Sequence, residues 1–297
     1  MDRSLGIVGA GRMGGAMWRH LQSLGHSAVV FDVNEAAVAA LVAEGAVSAA
    51  SAREVAASAD TVICSLPRSD DVATAVLGDD GVVDGASDGT LVIDTTSGAP
   101  SQSRDIAAAC AARGVAYVDA GVSGGPHGAG SGTLNIMVGG SDDDFATAKP
   151  VLALLGQNIW HCGPPGTGHA MKTVLNLSNQ AKMFIEIEAL LVGRAAGLDA
   201  QQMAEVLGLG AWRAFLMGPE GRRRFGFSLG MSCKDYDVGI GVATEERVPV
   251  PAITAVTAAM RVILDEIGPE ADIIDYVTVL ERNARVELPN HPEEHDQ

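Results

Sequence analysis

Lys172, Asn176, Asn179 and Glu186 are separated by steps of four, three and seven residues. On an α-helix that spacing puts them on one side. Their segment, 166–197, follows Gly163-Pro164-Pro165-Gly166 and is free of Gly and Pro from His169 to Val192. It predicts one helix far longer than the average. A lysine and two asparagines in line on an apolar helix either face water or line a site, and the helix alone leaves those readings even.

A second group of residues suits phosphate chemistry. Gly9-Ala10-Gly11-Arg12-Met13-Gly14 follows the apolar run Leu5-Gly6-Ile7-Val8 and precedes a helical pattern over 13–24. Strand, GxGxxG, helix is the arrangement that holds a dinucleotide. Glycine allows the tight turn, the close approach of backbone to pyrophosphate, and helix–strand packing. The helix N-terminus offers N–H groups and partial positive charge, and Arg12 a further donor. Asp32 ends the next strand, 18 residues after Gly14, where an acid binds the adenine ribose hydroxyls. Val33 and Asn34 follow it, with no Arg to hold a 2′-phosphate, so NAD is expected over NADP. The alternative is a structural glycine turn with Asp32 as an ordinary strand-end residue.

A third group suits a carboxylate. Ala120-Gly121-Val122-Ser123-Gly124-Gly125-Pro126 reads as a loop that could present consecutive N–H groups and the Ser123 hydroxyl to an anion. A plain loop, continued over 128–132, is the competing reading. Leu66, Pro67, Thr96 and Ser97 follow predicted strands, where ligands bind in open α/β sheets. They read equally well as strand-end packing.

Short apolar strands alternate with short helices up to Gly163. Strands are expected at 27–31, 61–66, 90–94, 115–119, 134–138 and 158–161. Helices are expected at 35–43 with Asn34 as cap, 51–58, 69–77 and 101–112. That alternation predicts a parallel, doubly wound sheet. Beyond Gly166 no strand is evident, and helices are expected at 200–207, 212–217, 233–244 and 251–267. Ser232 is the expected cap of the third. The fold class is therefore α/β: a Rossmann-type domain over 1–163 and an all-α domain over 164–290, joined by the long helix. An acidic tail follows over 291–297. Arg222-Arg223-Arg224 is read as a solvated loop, with anion recognition as the lesser alternative. His169, one turn before Lys172, is read as a packing or loop residue.

The totals exclude several function classes. The chain has 297 residues and a net charge of −17, so phosphate backbones repel it and nucleic acid is not an expected partner. Cys64, Cys110, Cys162 and Cys233 are widely spaced, without a CxxC pair. Neither a zinc site nor a disulfide framework is expected, and reduced thiols in the cytoplasm fit best. No segment reads as a signal peptide or a membrane span.

Taken together and in order, these motifs resemble the β-hydroxyacid dehydrogenase family. The matching residues are GxGxxG at Gly9 to Gly14, Leu66-Pro67, Asp94-Thr95-Thr96-Ser97-Gly98-Ala99-Pro100 and Asp119-Ala120-Gly121-Val122-Ser123-Gly124-Gly125. They continue with Gly166-Thr167-Gly168-His169-Ala170-Met171-Lys172, Asn176 and Lys234-Asp235. The resemblance implies that Gly9, Gly11, Arg12, Met13 and Gly14 hold the dinucleotide phosphates and Asp32 the ribose. Leu66, Pro67, Thr96 and Ser97 would line the cofactor, and Ser123, Gly124 and Gly125 would take a substrate carboxylate. Lys172 would be the catalytic acid/base, Asn176 would orient the reacting hydroxyl, and Lys234 would reach the nicotinamide end. A homodimer or homotetramer is implied as well. The chain departs from the family pattern in Leu175, in Gly121 where Pro is usual, and in lacking an Asn at 68–71.

The implied reaction oxidises a β-hydroxy acid, of 3-hydroxyisobutyrate type, with NAD⁺ as hydride acceptor. A lysine serves as base when burial or a neighbouring cation lowers its pKa. L-Threonate, tartronate semialdehyde or a sulfonated analogue are alternative substrates, and Trp212, Arg213 and Arg222 to Arg224 could shape the distal pocket. Two other functions fit the scaffold: imine reduction, against which Lys172 argues, and a non-catalytic dinucleotide-binding module.

Overall fold

The computed structural model describes residues 4–209 and 226–288. The predicted helix over 212–217, Trp212, Arg213, the arginine run and the acidic tail lie outside the described residues. The chain divides into two compact units, Met1–Val174 and Leu175–Gln297.

The first unit is a sheet with helices between its strands. In order it comprises β1 (Leu5–Val8), α1 (Arg12–Ser23), β2 (Ala28–Phe31), α2 (Glu35–Ala43), β3 (Val47–Ser48), α3 (Ala52–Ser58), β4 (Thr61–Cys64) and α4 (Ser69–Leu77). Then come α5 (Val82–Gly85), β5 (Leu91–Asp94), α6 (Pro100–Ala111), β6 (Ala116–Ser123), α7 (Gly125–Ser131), β7 (Leu134–Gly139), α8 (Asp142–Leu155) and β8 (Gly156–Gly163). The strand order is β3-β2-β1-β4-β5-β6-β7-β8. All neighbours are parallel except β6 and β7. The order reverses beside β1, at its junction with β4, which is where such sheets take a ligand.

Alternation along each strand builds two cores. Ile7, Ile63 and Ile93 pack on one face with Trp18 and Leu21 of α1. Val8, Val62, Cys64 and Val92 pack on the other with Val55, Ile106 and Tyr117. Burial on both faces is why these strands read as unbroken apolar runs. Each such side chain contributes about 1.5–3 kcal/mol on burial.

Two expectations for this unit are corrected. Residues 120–123, read as loop, belong to β6, which pairs with β7 through Ser123 opposite Asn135. The continuation, read as loop over 128–132, is helix α7 as far as Ser131, with Gly132 as its left-handed cap. Gly is a poor former of both strands and helices and Ala a poor former of strands, so tertiary packing decides here. The turn between the two elements is set by Gly124 and Gly125, at φ +128° and +61°, values that disfavour a side chain.

Helix α9 (Thr167–Ala195) passes out of the first unit, and α10 (Ala200–Val206), α11 (Leu229–Glu245), α12 (Pro251–Ile267), a 3₁₀ turn at Ile273–Asp275 and α13 (Tyr276–Ala284) follow. Met183, Phe184, Ile187 and Leu191 of α9 pack with Tyr236, Met260 and Tyr276. Phe184 stacks on Tyr276 with centroids 5.5 Å apart. The expected cap at Ser232 is also corrected. Helix α11 starts four residues earlier, capped by the Ser228 hydroxyl on the Met231 N–H. Ser232 lies inside it and donates to Gln180 at 3.0 Å.

Candidate active site

The glycine motif sits at the carboxyl end of β1. Gly9 has φ +104°, and a Cβ there would lie 2.2 Å from the Ser65 carbonyl oxygen. A Cβ on Gly14 would lie 1.8 Å from the Gly9 carbonyl oxygen. Both glycines are required by the chain's own packing. Gly11 is different: it is exposed, its φ of −67° suits any residue, and a Cβ there would meet nothing within 4 Å. Gly11 is also the N-cap residue of α1 and has no side chain to cap it, and the first turn contains no acid. Arg12 is exposed and Met13 half-buried on that turn. Backbone donors, the positive end of a helix and an unneeded glycine converge at one point.

Asp32, at the end of β2, faces this loop. Its carboxylate accepts the Ala10 N–H at 2.6 Å and the Asn34 N–H at 2.8 Å. Val33 beside it is exposed. Leu66 is half-buried and Pro67 exposed after β4. Thr96 is buried after β5, and its hydroxyl accepts the Leu66 N–H at 3.2 Å, so Thr96 ties one strand end to the next. Ser97, next to it, is half-buried. Since β2, β1, β4 and β5 are parallel, all these positions share one edge of the sheet.

The same edge carries the carboxylate segment. Ser123 is half-buried at the end of β6, and Gly124 and Gly125 are exposed. Two residues before Ser123, Gly121 lies under Lys172: a Cβ on Gly121 would be 2.5 Å from the Lys172 Cβ. Lys172 itself is half-buried. His169 is fully buried, with Nδ1 2.7 Å from the Ser103 hydroxyl and Nε2 3.3 Å from the Asp94 carbonyl. It is a packing residue, as expected.

Asp119, given no role by the sequence, is also fully buried. It accepts the N–H of Gly166 at 2.6 Å and of His169 at 2.8 Å. Burial pushes its carboxyl pKa up, against the opposing pull of His169 and the two N–H donors. Tyr117, buried and donating to Asp94 at 2.8 Å, is held well above its ordinary value, first by burial and then by Asp94.

In the second unit, Asn176 and Lys234 converge on Asp235. The Asn176 amide donates to Asp235 at 2.7 Å, and the Lys234 ammonium lies 3.2 Å from the other carboxylate oxygen. Lys234 and Asp235 are both buried. Asp235 is the second residue to which sequence reading assigned no role. Asn179 is exposed; Glu186 is half-buried and paired with Lys182 at 3.4 Å.

Comparison with known proteins decides the family. Residues 4–163 match the NAD binding domain of 6-phosphogluconate dehydrogenase, and residues 166–280 match the NAD-binding family of NADP-dependent 3-hydroxyisobutyrate dehydrogenase. The chain belongs to the β-hydroxyacid dehydrogenase family. Relatives of this chain include named dehydrogenases. The 2-(hydroxymethyl)glutarate dehydrogenase of Eubacterium barkeri is 36% identical over 266 residues, covering 86% of this chain and 88% of that one. The NAD-dependent L-serine dehydrogenase of Pseudomonas aeruginosa is 40% identical over 205 residues, 69% of each chain. Among solved structures, Mycobacterium tuberculosis 3-hydroxyisobutyrate dehydrogenase with L-serine superposes with a TM-score of 0.84. It is 26% identical, covering 94% of this chain and 99% of that one.

The family's cofactor is a nicotinamide dinucleotide, and the residues present fit it. The open space beside Gly11 is where a pyrophosphate approaches in such loops, and nothing in the chain itself needs a glycine at that position. Among the described residues no group of His, Cys, Asp and Glu has the arrangement of a metal site. No helix there is long and apolar enough to cross a membrane.

Proposed function

We propose that this chain oxidises a small β-hydroxy acid with NAD⁺, or runs the reverse reduction, and that Lys172 moves the hydroxyl proton. The observation that carries the reading is the seat of Lys172 on β6. Its stem lies over Gly121, and Ser123 follows two residues later on the same strand face. Two strand residues span about 7 Å. A three-carbon acid, hydrogen-bonded at its carboxylate by Ser123, Gly124 and Gly125 and at its hydroxyl by Lys172, covers that distance.

Bound at the glycine loop, NAD⁺ supplies the hydride acceptor. Gly9, Gly11, Arg12, Met13 and Gly14 hold its phosphates, Asp32 its ribose, and Leu66, Pro67, Thr96 and Ser97 flank it. In oxidation Lys172 takes the hydroxyl proton; in reduction it returns one. Asn176, one helical turn further on, orients the hydroxyl, and Lys234 supplies a cation toward the nicotinamide. The preference for NAD over NADP rests on Asp32 and on the absence of an Arg at Val33 and Asn34. The assignment divides the labour as a cofactor domain over 1–163 and a substrate and assembly domain over 164–290.

A 3-hydroxyisobutyrate-like acid is the favoured substrate, with L-serine, 2-(hydroxymethyl)glutarate and L-threonate as the nearest competitors. The test is NADH absorbance on incubation with NAD⁺ or NADP⁺ and a panel of these acids. NADH binding without turnover of any acid would leave a binding module instead. Assembly as a homodimer or homotetramer in the cytoplasm completes the proposal. Exposed Met171, Val174, Ile185 and Val192 along α9 support a partner copy, and light scattering of the purified chain tests it.

A further inference from the structure

Helix α9 starts without a cap of its own. The preceding residues are Gly163, Pro164, Pro165 and Gly166, none with a polar side chain, yet the first N–H groups of a helix need acceptors. Asp119 supplies both oxygens, one to Gly166 and one to His169, from 47 and 50 residues earlier in the chain. The approach is close: a Cβ on Gly168 would be 2.4 Å from the Asp119 carbonyl oxygen and 2.5 Å from that of Met137. One on Gly139 would be 2.5 Å from the Asp119 carboxylate. The start of α9 is thereby pressed onto β6 and β7.

Gly121 lies two residues beyond Asp119, on the same strand face. It sets the approach of the next turn, since a Cβ there would overlap the Lys172 Cβ at 2.5 Å and crowd the Gly168 carbonyl oxygen at 3.2 Å. The His169 ring, bonded to Ser103, fixes the helix against rotation. Asp119 holds the axial position of the helix, and Gly121 holds its distance from the strand.

We propose that Asp119 and Gly121 are positioning residues for Lys172, setting where its amine stands over the end of β6. This rests on Lys172 being the group that moves the proton. The test uses the full chain with Gly121→Ala, Asp119→Asn, Asp119→Ala and Lys172→Ala. It records kcat and KM for the best acid, NADH affinity by fluorescence, and the melting temperature. Misplacing a reacting group by about 1 Å costs about 10²-fold in rate. Gly121→Ala is expected to lose kcat on that scale, with NADH affinity within about twofold of the parent. At position 119, kcat is expected to fall from Asp to Asn to Ala, following the number of N–H groups accepted. Asn keeps the volume and one acceptor oxygen, so Asp119→Asn stands as the test if Gly121→Ala does not fold. Folded Asp119→Asn or Gly121→Ala enzyme with parental kcat would overturn the proposal. So would loss of kcat only in step with NADH affinity and melting temperature. An active Lys172→Ala enzyme would instead overturn the proton-transfer reading on which it rests.

Discussion

The Asn176 amide donates to the Asp235 carboxylate at 2.7 Å. An ionised carboxylate only accepts, so the atom facing it is the amide nitrogen and the carbonyl oxygen is turned the other way. Asp235 therefore fixes which way the Asn176 amide is turned, while its second oxygen lies 3.2 Å from the Lys234 ammonium. Asp235→Ala is expected to reduce kcat and to destabilise the folded chain by about 1.5–3 kcal/mol, as for hydrogen bonds to charged groups. Urea unfolding reads the stability. An unchanged midpoint would show that the carboxylate does not hold these two side chains.

Lys172→Ala is expected to retain NADH binding while kcat falls about 10²–10⁴-fold, the range for general acid–base catalysis. Single-turnover rates and fluorescence titration separate the two quantities. Parental turnover would remove Lys172 from the chemistry.

The glycine motif predicts two different failures. Gly14→Ala places a Cβ 1.8 Å from a backbone oxygen, so the chain should lose stability whether or not a cofactor is present. Gly11→Val has open space and an ordinary φ. It should melt like the parent without ligand and bind NADH at least about tenfold more weakly, or 1.4 kcal/mol. Equal NADH affinities would place the pyrophosphate elsewhere.

Asp32→Ala is expected to reduce kcat/KM with NAD⁺ and to raise it with NADP⁺, because the variant lacks the charge that repels a 2′-phosphate. Initial rates with both cofactors decide this. A parent chain already faster with NADP⁺ contradicts the assignment.

Burial raises the Cys110 thiol from 9.0 to about 12. The unfolded thiol ionises first, so the folded chain keeps a proton that the unfolded chain loses. Stability from this group is intact below about pH 9 and declines as pH rises toward 12, by at most about 1.4 kcal/mol per pH unit. Unfolding midpoints between pH 8 and 11 should fall less steeply in Cys110→Ala. The slope left by Cys233, raised to about 11 by burial, should remain. Identical slopes would mean the thiol is not desolvated.

Local signals were legible in the sequence. The helices at Ser69–Leu77 and Pro251–Ile267 have the expected limits, and Asn34 caps α2 by accepting from Ala36 and Ala37. Their causes lie within a few residues. The extension of β6 to Ser123 was hidden because Ala and Gly become strand there only by pairing with β7. Helix α11 was placed late because Ser232 has the chemistry of a cap, but its hydroxyl is committed to Gln180, 52 residues away. Asp119 and Asp235 were unreadable for the same reason. The hydrogen-bond donors that each holds on another element lie 47 to 59 residues distant, and no local pattern marks a carboxylate that will serve another element.

Helices α2, α3, α8, α10 and α11 each begin under an oxygen from their own chain: Asn34, Ser51, Ser141, Asp199 and Ser228. Helix α1 begins at a glycine. A dinucleotide phosphate bound there, as proposed, would complete that first turn with an anion that the gene does not encode, and the native state would in that respect be a joint product of chain and metabolite. Thermal endurance should then follow the supply of dinucleotide, rising by RT ln(1 + [L]/Kd). In a starved cell this enzyme would be the easier one to unfold and degrade.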